Sequence, residues 1–186
     1  MNLTSEFNKY LKTDEEFKLA YQVVRKNSRG KIWLIGGGLS RNLANILYGY
    51  KKENHDFDFI VETPIKKIKL EDGWKVKLNN YGSPKFIKKD LRVDFIHLDT
   101  ISSIKRRKLK PTIKNFLTGT PFTIQSMAYD VGNQRIIGKM GILALKKKIF
   151  EVNNQKQAKI YASHKGLTVK KLILKKAKSM GFEPKF

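Results

Sequence analysis

The sequence contains no cysteine, which excludes disulfide scaffolds, thiolate metal sites and thiol nucleophiles together. Histidine is scarce: His55, His97 and His164 lie far apart, so an imidazole-built metal site is not expected. No apolar run approaches the ~20 residues that a bilayer-spanning helix needs. The start, Met1-Asn2-Leu3-Thr4-Ser5-Glu6, lacks the basic-then-apolar pattern of a secretion signal. A cytoplasmic protein without a membrane partner is expected. Acids are also in short supply, with 16 Asp+Glu against 39 Lys+Arg in 186 residues, a formal charge of +23.

What is present excludes a disordered basic tail. Apolar residues make up 40% of the chain and aromatics 11%, enough to offset the entropy of ordering. Such a charge excess favours a polyphosphate partner, although lysine-rich codon usage would raise it too.

The apolar spacing predicts an α+β organisation. Residues 1–29 read as helical, with Thr13 as a cap before Asp14-Glu15-Glu16 and with Phe17, Ala20, Tyr21 and Val24 at helical spacing. Lys31–Ile35 reads as a buried strand that breaks into Gly36-Gly37-Gly38 and then a helix closing at Gly49. Strands are expected at 56–62, 74–81, around Phe86-Ile87, at 92–98 and at 135–137. Helices are expected at Phe122–Tyr129, Ile142–Phe150 and Val169–Met180, the last capped by Thr168 and carrying one lysine face.

The strand at 56–62 carries the first candidate chemistry. Period-2 geometry puts Asp56 and Asp58 on one face and Phe57, Phe59 and Val61 on the other. Two neighbouring carboxylates repel unless a cation or water separates them, and oxygen-only ligands select Mg²⁺ or Mn²⁺. A surface pair of acids would look the same. Asp94 strengthens the metal reading, because it interrupts the apolar strand Val93-Asp94-Phe95-Ile96, where an unpaired carboxylate is costly. A salt bridge to Arg92 or a lysine would also satisfy it. If the two strands are neighbours, the three acids converge and can hold two ions ~4 Å apart. Gly36-Gly37-Gly38 offers close backbone approach and a helix start to phosphates, with Arg41 in reach.

Together these residues carry a resemblance. Ile32 to Asn42 through Gly49, followed by Asp56-Phe57-Asp58, resembles the head domain of class II CCA-adding enzymes and bacterial poly(A) polymerases, members of the polymerase-beta-like nucleotidyltransferases. Phe122-Thr123-Ile124-Gln125-Ser126-Met127-Ala128-Tyr129-Asp130 resembles a later block of that family, and Leu172 to Phe182 its helix after the head. The resemblance implies a palm with a mixed sheet flanked by helices and a short C-terminal helical extension. It implies a head at 1–138 and a truncated neck-like extension at 139–186. Asp56 and Asp58 would bind both metals and Asp94 the one that activates the acceptor hydroxyl. Gly36, Gly37, Gly38, Arg41 and Gln125 would bind an NTP, ATP or CTP. The expected activity is nucleotidyl transfer in RNA processing, onto a tRNA or other RNA 3′ end.

Departures from the family pattern accompany it. Asn42 stands where the family has Asp, Gly119-Thr120-Pro121 replaces Arg-Arg-Asp, Gln125 replaces Asn, and no base-reading block matches around Gly166 to Val169. The family's neck, body and tail have no counterpart in these 186 residues, so a protein partner supplying RNA-binding parts is expected. Lys105, Arg106 and Arg107, with Lys171 and Lys175, are the candidate RNA-backbone contacts. Trp74, Tyr81 and Phe86 could stack bases or fill the core. Two other functions stay open: transfer to a protein or small molecule, and a catalytically idle module that binds nucleotide or RNA.

Overall fold

A computed structural model describes residues 2–49, 55–79 and 82–186. The chain packs as two compact units, residues 1–100 with 129–136 and residues 101–128 with 137–186. The fold class is α+β: a seven-stranded mixed sheet flanked by helices. Among the described residues, no helix is long and apolar enough to cross a membrane.

The first unit opens with α1 (Leu3–Thr13) and α2 (Glu15–Lys26). Asp14, and not Thr13, caps α2 by accepting from the Phe17 amide at 2.9 Å. Thr13 stays in the last turn of α1, its hydroxyl donating to the Tyr10 carbonyl at 2.9 Å. Next come β1 (Ser28–Ile35), α3 (Gly36–Tyr48), β2 (Asp56–Pro64), β3 (Lys75–Leu78), β4 (Pro84–Lys88) and β5 (Leu91–His97). The strand order is β3-β4-β5-β2-β1, completed by β6 (Ala128–Asp130) and β7 (Arg135–Ile137). β2 and β5 run parallel, while β1 pairs antiparallel with β2 and β6, and β4 with β3 and β5. One sheet face is apolar, with Phe57, Phe59, Phe86, Val93 and Phe95 buried. Phe17 of α2 covers it, its ring 6.0 Å from Phe57 and 6.1 Å from Phe59. The opposite face carries Asp56, Asp58, Lys85, Arg92 and Asp94, and on β1 and β2 it also holds the buried Trp33, Ile35 and Ile60.

The expected helix at Phe122–Tyr129 is absent. A 3₁₀ turn at Thr123–Gln125 leads into β6, where Tyr129 pairs with Leu34 and Asp130 with Trp33. Sheet hydrogen bonds and an edge contact of Tyr129 with Phe7 at 5.0 Å outweigh a locally helical spacing. The aromatic run at Phe122 instead packs on Phe150 at 4.8 Å within the second unit.

That second unit contains α4 (Ser102–Arg106), α5 (Ile113–Leu117), α6 (Lys139–Lys147), β8 (Ile149–Phe150), α7 (Gln155–His164), α8 (Val169–Met180) and β9 (Glu183–Pro184). The helix expected at 142–150 begins three residues earlier and gives way to β8, which pairs with β9. Gly141 lets α6 lie against the backbone of Ser126 and Met127, where a Cβ would come within 2.8 Å. α8 is capped by Thr168 and buries Leu172, Ile173 and Ala177, leaving its lysines exposed.

Candidate active site

The glycine turn is the end of β1 entering α3. The helix begins at Gly36 itself, earlier than its apolar spacing suggests, and Ile35 provides no side-chain cap. Its first turn contains no acid of its own, and the anion that stands beside the positive helix end is the Asp58 carboxylate of β2. Gly36 is required twice over. Its φ of +69° is disfavoured for L-residues, and a Cβ would collide with the Asp58 carboxylate. Arg41 folds back so that its guanidinium lies over Gly37. One turn on, Asn42 is buried, and its Nδ2 has no hydrogen-bond partner among the described residues.

Asp56 and Asp58 leave β2 on the face opposite Phe57 and Phe59, as the alternation predicts. The parallel register sets Asp58 directly beside Asp94 and Asp56 beside Arg92. On its other side Asp94 faces Lys85 of β4, whose Nζ lies 3.0 Å from Oδ2. Asn79 donates to Oδ1 at 2.8 Å. Asp58 carries the strain of the cluster. Burial, then the charges of Asp94 and Asp56, push its carboxyl from 3.8 up to about 7. Lys85 and Arg41 pull the other way and do not cancel the rise. The cluster is therefore short of positive charge, and its donors are all oxygen, which suits a hard divalent ion.

Among the described residues, no three His, Cys, Asp or Glu side chains already stand close enough to hold a metal. Both Asp94 oxygens are engaged, one by Lys85 and the other by Asn79. The donor set fits Mg²⁺ or Mn²⁺ in chemistry and in strand placement, on the condition that the ion replaces Lys85 at Asp94.

The remaining candidates divide between the units. Gln125 ends the 3₁₀ turn in the second unit, half-buried, and its Oε1 has no partner among the described residues. Lys105 is exposed on α4. Its neighbours are engaged internally: Arg106 donates to Gln157 Oε1 at 2.5 Å, and Arg107 to the Ser103 carbonyl at 2.9 Å, the Thr118 hydroxyl at 3.0 Å and the Asn115 carbonyl. Arg107 thus clamps the loop after α5, lying against Gly119, and desolvation lowers its pKa. Gly119-Thr120-Pro121 is structural: Thr120 is buried, its hydroxyl 2.7 Å from that of Ser126. Lys171 and Lys175 are exposed on α8, and Lys171 borders an open hollow of about 490 Å³ with Lys159 and Thr168.

Trp74 and Phe86 are buried and fill the core. Tyr81 lies outside the described residues. His55 contacts Glu16 at 2.9 Å and His97 lies 3.5 Å from Asp99. Sequence reasoning missed Lys85 and Asn79. The available signal was the hairpin about Gly82-Ser83-Pro84, which opposes Lys85 to its core-facing neighbour Phe86.

No protein-family model matches the chain, and no curated protein matches it in sequence. Solved structures do. A CCA-adding enzyme in complex with ATP aligns over 100% of this chain and 42% of its own, at 16% identity and a TM-score of 0.60. A tRNA-processing enzyme in an apo form aligns over 93% of this chain and 45% of its own, at 18% identity and 0.59. A tRNA-processing enzyme with CTP aligns over 83% and 40%, at 22% identity and 0.55. The chain spans less than half the length of each. The likeness shows a shared fold.

Proposed function

We propose that this chain is a metal-dependent nucleotidyltransferase. It moves a nucleoside monophosphate from an NTP, ATP or CTP, onto a hydroxyl at an RNA 3′ end and releases pyrophosphate. The observation that carries this reading is the strand register that sets Asp58 beside Asp94, next to an uncapped helix start built on glycine. The ATP and CTP complexes of the similar structures support an NTP as donor.

In this reading the amides at Gly36, Gly37 and Gly38 receive the triphosphate, and Arg41 the departing pyrophosphate. Asp56, Asp58 and Asp94 would hold two Mg²⁺ or Mn²⁺ ions. Bound there, the ions supply charge neutralisation at the attacking and leaving oxygens. The acceptor oxygen forms its bond to the α-phosphorus as the bond from that phosphorus to the α–β bridging oxygen breaks. The electron pair departs with pyrophosphate, and the hydroxyl proton passes by the Asp94 carboxylate to water. Catalysis is then mostly orientation and electrostatics. Lys105, Lys171 and Lys175 supply RNA-backbone contacts.

One gel tests this reading. The protein is incubated with Mg²⁺ and each labelled NTP, with and without RNA. Lengthened RNA supports it, label on the protein redirects the acceptor to a side chain, and no transfer with any NTP overturns it. Asp58→Asn abolishes transfer; turnover equal to the wild type would defeat the metal assignment.

A further inference from the structure

The sheet edge formed by β3, β4 and β5 has a charge order that the nucleotidyl-transfer reading does not use. Across one transverse row the paired residues are Lys77 on β3, Lys85 on β4, Asp94 on β5 and Asp58 on β2, and Ile35, just before the glycine turn, completes it on β1. The acids therefore lie between the glycine turn on one side and a cationic hairpin on the other. The neighbouring row adds Lys75 and Arg92 to the same face. Lys75, Lys77 and Arg92 are exposed, and among the described residues none of the three forms an ion pair. Lys77 stands directly opposite Lys85, and like charges opposed across an antiparallel pair destabilise it. Lys85 is held by Asp94, so among the described residues Lys77 is the charge left without a counterion, and a polyanion would neutralise it.

In-line displacement requires the attacking hydroxyl to approach from the side opposite the leaving group. With the triphosphate at the glycine turn, the acceptor must come across β5 from β4 and β3. We infer that Lys75, Lys77, Lys85 and Arg92 form a track for the phosphodiester backbone of a single-stranded polynucleotide whose 3′ end reaches Asp94. The inference rests on the proposed nucleotidyl transfer and assigns the residues that hold the acceptor strand behind its reacting end. The lysine of β3 lies two strand spacings, about 10 Å, from Asp94, so the track serves the nucleotides behind the reacting end. A protein side chain or small acceptor would have no use for cations at that distance.

The test is binding of a labelled single strand to the full chain in EDTA, without NTP, across a salt series. Matched RNA and DNA arms tell which sugar the occupant carries. Each phosphate contact contributes about 0.7 to the log–log salt slope for single strands, so Lys75→Gln/Lys77→Gln lowers the slope by about 1.4. Lys75→Glu/Lys77→Glu weakens binding further, while tryptophan fluorescence under urea verifies that the first unit stays folded. A wild-type protein that binds neither strand overturns the inference, and so does a slope unchanged in the folded glutamine variant. Because the readout needs no turnover, an absence of nucleotidyl transfer sinks the proposed function and leaves this measurement readable. An unchanged slope with transfer intact sinks only the inference.

Discussion

Replacing Asp58 by Asn should stabilise the metal-free protein at pH 8 while ending any catalysis. The cause is the unbalanced charge of the site: burial and the carboxylates of Asp94 and Asp56 raise the Asp58 carboxyl from 3.8 to about 7. Above pH 7 the native state holds that group ionised at a cost the unfolded chain does not bear. The sign follows from linkage. A carboxyl raised on folding contributes its stability below its unfolded value, and that contribution is lost as pH rises from about 4 through about 7. At about 1.4 kcal/mol per unit, the loss approaches 4 kcal/mol at pH 8 and is under about 2 kcal/mol at pH 5. Asn keeps the shape and never ionises, so its stabilising effect should be largest at pH 8 and shrink at pH 5. Relaxation around the site would bring the pH 8 gain to about 2–4 kcal/mol. The assay is urea denaturation in EDTA at both pH values, followed by tryptophan fluorescence. Trp33 and Trp74 both lie buried in the first unit and report on it directly. A variant less stable than wild type at pH 8, or one whose gain is equal at both pH values, refutes the account of the cluster.

Three further expectations follow from the same geometry. Gly36→Ala places a methyl against the Asp58 carboxylate at a φ of +69°, so it should cost at least about 1–2 kcal/mol and weaken NTP binding, measured by urea denaturation and nucleotide titration. Arg107→Ala removes donors to Ser103, Thr118 and Asn115 and should destabilise the protein by about 2 kcal/mol, read as a lower urea midpoint by far-UV circular dichroism. Alkaline titration should destabilise the first unit above pH 10. Burial raises Tyr129 to about 12 and raises Tyr10 as well, so both keep their protons in the native state longer than in the unfolded one, and stability falls as pH climbs through that window. Circular dichroism between pH 9 and pH 12, with tyrosinate absorbance at 295 nm, should show part of the tyrosine ionisation delayed until structure is lost. A rise near pH 10 that accounts for all seven tyrosines, with the circular dichroism unchanged, would contradict this.

Local pattern in the chain determined which faces carry which chemistry. Alternation alone set Asp56 and Asp58 opposite Phe57 and Phe59, the glycine triplet set a strand-to-helix turn, and helical spacing set the lysine face of α8, because each is a short-range consequence of backbone period. Thr13 and Asp14 illustrate the limit of such reasoning: adjacent residues with equal capping ability are separated by where two helices meet. The stretch after Phe122 illustrates another, since helical spacing yielded to pairing with β1, a partner remote in the chain. Only the tertiary structure decided what the acids face. The side-by-side register of Asp58 and Asp94, and the placement of Lys85 and Asn79 on the latter, depend on hydrogen bonds between strands far apart in sequence. A strand's period says which way a side chain points, and only its neighbours in the sheet say what it meets.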